Sequence, residues 1–232
     1  METELTLKTI AHIHTDFPTK FGIPRQSGIV DALKATIVFT PAYRNVDALR
    51  GMEDFSHLWL IWEFSESVRK TWSPTVRPPR LGGNTRMGVF ATRSPFRPNA
   101  LGLSCVKLNG IDHHTPDGPV LHVSGADLMD GTPIYDIKPY IPFADSHPDA
   151  KHGFTAQTQD YALTVDFPPG LLAQVPLPLR NGLIGTLAHD PRPSYQNDPE
   201  RIYYLEFADL EIGFRVKDTT LTVCQIQPRK KA

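Results

Sequence analysis

Guanidinium groups braced by proline present bidentate donors to an anion at small entropic cost. The run RMGVFATRSPFRPNALGLS, Arg86 to Ser104, has this make-up, with Arg86, Arg93 and Arg97 set around Pro95 and Pro98 and apolar, strand-like residues at both ends. TRSPFRPN holds too much proline for a central strand and reads as a loop leaving a strand around Val89. The run is the centre of a wider asymmetry. From Ser67 to Ile111 there is no aspartate or glutamate, against Arg69, Lys70, Arg77, Arg80, Arg86, Arg93, Arg97 and Lys107. The whole chain carries 24 basic and 25 acidic residues, a formal charge of -1, so this stretch is a local patch suited to phosphate or carboxylate. The competing reading pairs these arginines in space with distant acids such as Glu53, Asp54 or Asp136.

Other residue types could also do chemistry. Asp136 in YDIKPY is a candidate general base, with Tyr135 and Tyr140 behind it; the alternative is an ion pair with Lys138. Asp127 and Asp130 stand in DLMDGTP, where aspartate before glycine commonly shapes a turn. HIH puts His12 and His14 on one face of a strand, and His113 and His114 adjoin, but neither pair has a third ligand at metal-site spacing, so no metal is expected. Trp59, Trp62 and Phe64 in HLWLIWEF could stack on bases, although a buried strand explains them better. Neighbouring Ser56 and His57 point to opposite faces of a strand and make no catalytic pair.

The elements that must position these residues follow from the punctuation of the chain. Its 232 residues, 40% hydrophobic and 21% charged, suffice for a sizeable core. Twenty-two prolines and 16 glycines leave little room for long helices. LTLKTIAHIHTDF, KATIVFT, HLWLIWEF, RMGVFAT, LGLSCVKLNGI and PVLHVSGADLMD are short β-type runs separated by turn chemistry, the rhythm of a barrel or sandwich. AYRNVDALRGMEDF reads as a helix, with Val46, Leu49 and Met52 at helical spacing. A boundary is expected near Ala150, dividing a 1–150 barrel from a small α+β unit over 151–232. In the latter, LLAQVPLPLRNGLIGTLAHD supplies a helix and RIYYLEFADLEIGFRVKDTTLTVCQIQ a three-strand meander turning at KDTT. Cys105 and Cys224 lack paired spacing, no run of about 18 or more apolar residues suits a bilayer, and the cytoplasm is the default expectation. No glycine-rich strand-to-helix turn with its following acid occurs, so a doubly wound nucleotide fold is not expected; RLGGNTRMG is basic and leads into a strand.

Taken together and in order, FGIPRQSG, GMEDFSHLWLIWEF, PRLGGNTRMG, GVFATRSPFRPNALGLS, DGTPIYDIKPYIPFAD and HDPRPSY resemble the TsaA-like (TrmO) family of S-adenosylmethionine-dependent tRNA methyltransferases. The resemblance implies a mainly β fold with a closed antiparallel-rich barrel, a homodimer, and methylation of N6 of threonylcarbamoyladenosine beside the anticodon. It implies S-adenosylmethionine contacts at Pro24, Arg25, Gln26, Ser65, Glu66, Arg93, Leu103, Asp127, Leu128, Met129 and Asp130. RNA contacts would fall on Arg97, Lys138, Arg192 and Tyr195, toward the anticodon loop. Many relatives carry histidine where Ser65 and Phe96 stand, a departure from the pattern. Two other functions stay open: an RNA-binding barrel without catalysis, and a methyltransferase of this fold acting on a small metabolite.

Overall fold

The computed structural model describes residues 4–68, 71–78, 81, 85–158, 161–192, 196 and 198–230, with the side chains of 157 and 158 excepted. Along the first part of the chain run β1 (Ala11–His14), β2 (Lys34–Phe39), β3 (His57–Glu63), β4 (Thr75–Val76), β5 (Met87–Gly88), β6 (Leu101–Thr115), β7 (Gly118–Ser124) and β8 (Thr132–Pro139). Six of them close a barrel in the order β1-β2-β7-β6-β3-β8, every neighbouring pair antiparallel, with β8 returning to β1. Among the described residues β4 and β5 pair only with each other. Closure leaves no edge strand, and alternation decides what points inward. In β3, Leu58, Leu60 and Trp62 are buried while His57, Trp59, Ile61 and Glu63 face outward. Ile13, Ile37, Leu121, Val123 and Ile134 complete much of the same core.

Trp62 is the largest side chain of that interior, and Gly102 on the paired strand makes room for it. A Cβ at 102 would lie 2.3 Å from Cε2 of the indole. Gly102→Ala is expected to destabilise the protein by about 1–3 kcal/mol through overpacking, lowering Tm by roughly 2–12 °C in thermal unfolding.

After β8 comes α1 (Pro142–Asp145), tied to β3 by Trp59 Nε1 donating to Asp145 Oδ2 at 3.0 Å; a second layer then holds β9 (Thr164–Asp166), α2 (Pro169–Leu172), α3 (Leu177–Ala188), β10 (Tyr203–Phe207), β11 (Leu210–Lys217) and β12 (Thr220–Pro228). Its sheet runs β10-β11-β12-β9, the expected meander plus β9 lying parallel to β12. Asp218, at φ 52, turns the chain between β11 and β12. The second core is not drawn from the C-terminal half alone. Phe17, Val30 and Leu33 are buried in it beside Leu187, Leu205, Phe207 and Phe214. These three lie on the strap between β1 and β2, whose Asp16 carbonyl accepts the Ala208 N–H at 2.7 Å. On α3, Gly185 lets this strap come close, since a Cβ there would sit 2.5 Å from Val30 Cγ1.

Two sequence expectations are corrected. AYRNVDALRGMEDF is three 3-10 turns, Pro41–Tyr43, Val46–Leu49 and Met52–Asp54, in place of an α-helix. The Asn45 side chain accepts from the Asp47 N–H and Gly51, at φ 82, breaks the helical path, while Leu49 is buried in the barrel core with Tyr43 and Met52 packed against it. The alternation in LTLKTI likewise forms no strand, and Leu5 and Leu7 are exposed. β2 ends opposite Ala11, and Pro41 follows two residues after Phe39, so little facing backbone remains for residues before Ile10. Among the described residues no helix is long and apolar enough to cross a membrane.

Candidate functional site

β6 pairs with β3 from Leu101 onward but meets β7 only from Lys107. Among the described residues its first half therefore has one margin free of strand partners, and two other segments cover it. The Cys105 N–H donates to Ser27 Oγ at 3.0 Å from the strap. Ser104 Oγ donates to Asp127 Oδ1 at 2.5 Å in the turn after β7, and accepts from Trp62 Nε1 at 2.9 Å. Strap and turn are themselves tied by the Gly28 N–H on the Gly125 carbonyl at 2.8 Å. A third segment, the proline-braced loop, brings in Arg93, whose Nη1 donates to Gln26 Oε1 while the Gln26 amide donates to the Arg25 carbonyl.

Asp127 is the charged centre of this assembly. Burial pushes its carboxyl above 3.8, opposed by the Ser104 hydroxyl, its own N–H, the Arg93 charge and the Ser27 N–H. A carboxylate taken from water while retaining these donors is ready for one more, from a hydroxyl or an ammonium.

The expected contact residues are distributed unevenly around it. Gln26, Arg93 and Asp127 are brought together, with Pro24 buried and Arg25 half-buried just before them on the strap. Ser65 and Glu66 are exposed in the 3-10 turn Ser65–Ser67 that follows β3, and Lys20 Nζ ties the strap to this turn through the Glu66 carbonyl at 2.7 Å. Leu103 is 53% exposed on the outer face of β6. The Leu128 side chain is fully buried in the barrel core, and its carbonyl accepts from Thr15 Oγ1. The Met129 carbonyl accepts from Thr132 N–H and Oγ1. Asp130 accepts from the Thr15 N–H and from His14 Nδ1 at 3.2 Å, anchoring the start of the strap. Arg97 donates to the Thr92 carbonyl and so braces its own loop.

Asp136 lies in the cross-strand row Leu103–Ile61–Asp136, two strand spacings or about 10 Å from Leu103. A bulge at this point of the β3–β8 ladder turns both Tyr135 and Asp136 away from the core. The Asp136 carboxylate pairs with Lys138 Nζ at 2.8 Å and accepts the Ile137 N–H. Tyr135 donates to Glu63 Oε2 at 2.6 Å, and burial together with Glu63 pushes its phenol up to about 12, which keeps it a proton donor at neutral pH. Arg192 belongs to the second layer, over the Tyr203 ring and clamped on Asp190. Tyr195 lies outside the described residues.

Ser27 and Ser104 were not singled out from the sequence. Ser104 had a signal: it is a hydroxyl at the inward parity of a strand whose other inward neighbours are Gly102 and Val106. Ser27 had none, since a serine in a loop says nothing of what it faces.

The chemistry of this donor set fits S-adenosylmethionine. Arg93 with Gln26 matches a carboxylate, Asp127 matches hydroxyl or ammonium, and exposed Leu103 offers an apolar face. Among the described residues no group of three or more histidines, cysteines and acids is placed to hold a metal.

Known relatives match nearly the whole chain. The family model for the tRNA-methyltransferase O N-terminal domain matches residues 12–146, and that for the TrmO C-terminal domain matches residues 161–229. The tRNA (adenine(37)-N6)-methyltransferase of Escherichia coli K12 is 40% identical over 237 residues, 95% of this chain and 97% of that protein. An enzyme of the same name from Eikenella corrodens is 49% identical over 164 residues, 70% of this chain and 92% of its own. A crystal structure of TrmO from P. aeruginosa superposes with a TM-score of 0.77 at 31% identity, covering 99% of both chains. With both halves matched in order and the closed barrel in common, the chain belongs to the tRNA-methyltransferase O family.

Proposed function

We propose that the protein transfers a methyl group from S-adenosylmethionine to N6 of adenosine 37 in tRNA, the base beside the anticodon, in its threonylcarbamoyl form. The observation that carries this reading is the convergence of Arg93, Gln26 and Asp127 at the uncovered margin of β6. In this reading residues 1–150 form the methyltransferase unit, residues 151–232 a smaller unit beside the RNA, and two chains associate in the cytoplasm.

S-adenosylmethionine supplies an electrophilic methyl carbon on a sulfonium. The chain's own residues supply binding and alignment: Arg93 and Gln26 hold the donor's carboxylate, Asp127 accepts from its hydroxyls or ammonium, and the strap keeps water away. Good alignment alone is worth up to about 7–11 kcal/mol of barrier. The acceptor nitrogen shares its lone pair with the purine, so removal of its proton assists attack, and Asp136 is the candidate group. Exchange of the Lys138 partner for the acceptor N–H would free the carboxylate for that step. Asp136→Asn is expected to lower kcat about 10²- to 10⁴-fold while leaving donor affinity intact; an unchanged kcat would assign the residue to its ion pair alone. Arg97 and Lys138 are offered to RNA phosphates. Arg192 acts with them through the loop it holds.

The deciding experiment is nucleoside mass spectrometry of tRNA incubated with protein and isotopically labelled donor. Label on threonylcarbamoyladenosine, and none on tRNA lacking that group, is the expected result. Donor binding with no transfer to any tRNA would favour a small-metabolite substrate, and tRNA binding without donor binding a non-catalytic barrel.

A further inference from the structure

Two large aromatic side chains stand in water beside the site and are used by nothing described so far. Trp72 is 50% exposed and Phe90 72% exposed, yet their rings stack on each other, centroids 6.0 Å apart at 28°. The arrangement has a built base. Thr75 and Val76 pair with Gly88 and Met87, the Val89 N–H donates to the Pro74 carbonyl at 3.0 Å, and Val89 itself is 1% exposed. Arg86 is fixed across this pair, its Nη1 donating to Thr75 Oγ1 at 2.9 Å. Phe90 precedes Arg93 by three residues, so their Cα atoms lie within about 10 Å of each other. The pair therefore borders the donor site.

Charge decides what covers it. The aromatics sit inside the Ser67–Ile111 stretch, which has cations throughout and no acid. A two-fold contact between copies centred on this patch would set the same cations against themselves, which is unfavourable for a self-complementary surface. Aromatic rings set among arginines suit single-stranded nucleic acid, where phosphates meet the cations and a base meets the ring face. We propose that the Trp72–Phe90 pair is a stacking platform for an unpaired nucleobase flanking the nucleotide that is methylated. This deepens the function proposed above and rests on it for the identity of the RNA.

The full-length protein with an anticodon stem-loop RNA tests it. Tryptophan emission should be quenched on titration with the RNA, and Trp72→Phe should remove the quench although Trp59 and Trp62 remain. Phe90→Ala should raise KM for tRNA about 5- to 100-fold, leave donor affinity unchanged, and be rescued by Phe90→Tyr. An abasic residue next to the acceptor should raise KM for the unaltered protein and add nothing in Phe90→Ala. Unchanged KM and quench in the variants would overturn the proposal. So would a change of sedimentation from dimer to monomer in Phe90→Ala, which would assign the patch to a second copy of the chain. Because quenching is read without donor, its failure is distinguishable from a failure of methyl transfer, which would sink the proposed function instead.

Discussion

Asp127→Ala is expected to weaken S-adenosylmethionine binding about 100-fold in calorimetry, with turnover falling in parallel at fixed donor. The figure is that of one charge-assisted hydrogen bond lost, up to about 3 kcal/mol. Asp127→Asn separates charge from shape: it keeps the Ser104 contact and loses the anion, so it should recover stability but little affinity. The same carboxyl makes the site sensitive to acid. Because burial raises its pKa above 3.8, donor affinity should begin to fall at a higher pH than for an ordinary aspartate, and the Asn variant should lack that dependence. For stability the sign is opposite to that of a salt-bridged acid. A folded value above the unfolded one means that the native state binds the proton more readily. The contribution is thus fully present below the unfolded pKa and lost as pH rises through the folded one. Against Asp127→Asn, the unaltered protein without donor should lose Tm over that rise. Undiminished donor affinity in Asp127→Ala would remove the centre of the proposed site.

The second large effect is structural. Arg192→Ala should cost about 3 kcal/mol, read as a Tm decrease of roughly 6–12 °C. The guanidinium is nearly buried, donating to both Asp190 oxygens at 2.8 and 2.9 Å, and Tyr161 donates to the same carboxylate at 2.8 Å. Burial alone would raise Asp190; the hydrogen bonds from Arg192 and Tyr161 and the arginine charge outweigh it and hold the carboxyl below 3.8. That stability is present above the unfolded pKa and lost as pH falls through the folded one. Removing the arginine strands an acid at φ 52 in a nearly closed environment. Arg192→Lys cannot restore two parallel bonds and should recover only part of the loss. A variant with unchanged Tm but raised KM for tRNA would show that the side chain works by touching RNA and not by holding its loop.

How much of this was legible depended on whether a residue's partner was implied by periodicity. The barrel was readable because β3 and β7 carry their apolar residues in strand-like runs, and the meander because KDTT interrupts two such runs. The Val46–Leu49–Met52 spacing misled because Gly51, at φ 82, breaks the helical path between Leu49 and Met52, so the two reach the barrel core from separate turns. Of the site, Arg93 and Gln26 carried motif signals, whereas Ser27 acquires its role only from the place where β6 parts from β7. The Trp72–Phe90 stack joins residues 18 positions apart through a two-residue strand pair, too short to leave a pattern.

The strap between β1 and β2 has a bearing on biosynthesis. Its Phe17, Val30 and Leu33 are seated by residues as late as Val223, while its other side carries Gln26 and Ser27. A nascent chain emerging from the ribosome could close its barrel once Pro139 is out, yet the strap that carries Gln26 and Ser27 would lack part of its packing until the last strand is made. The seating of the strap is thereby coupled to the end of translation.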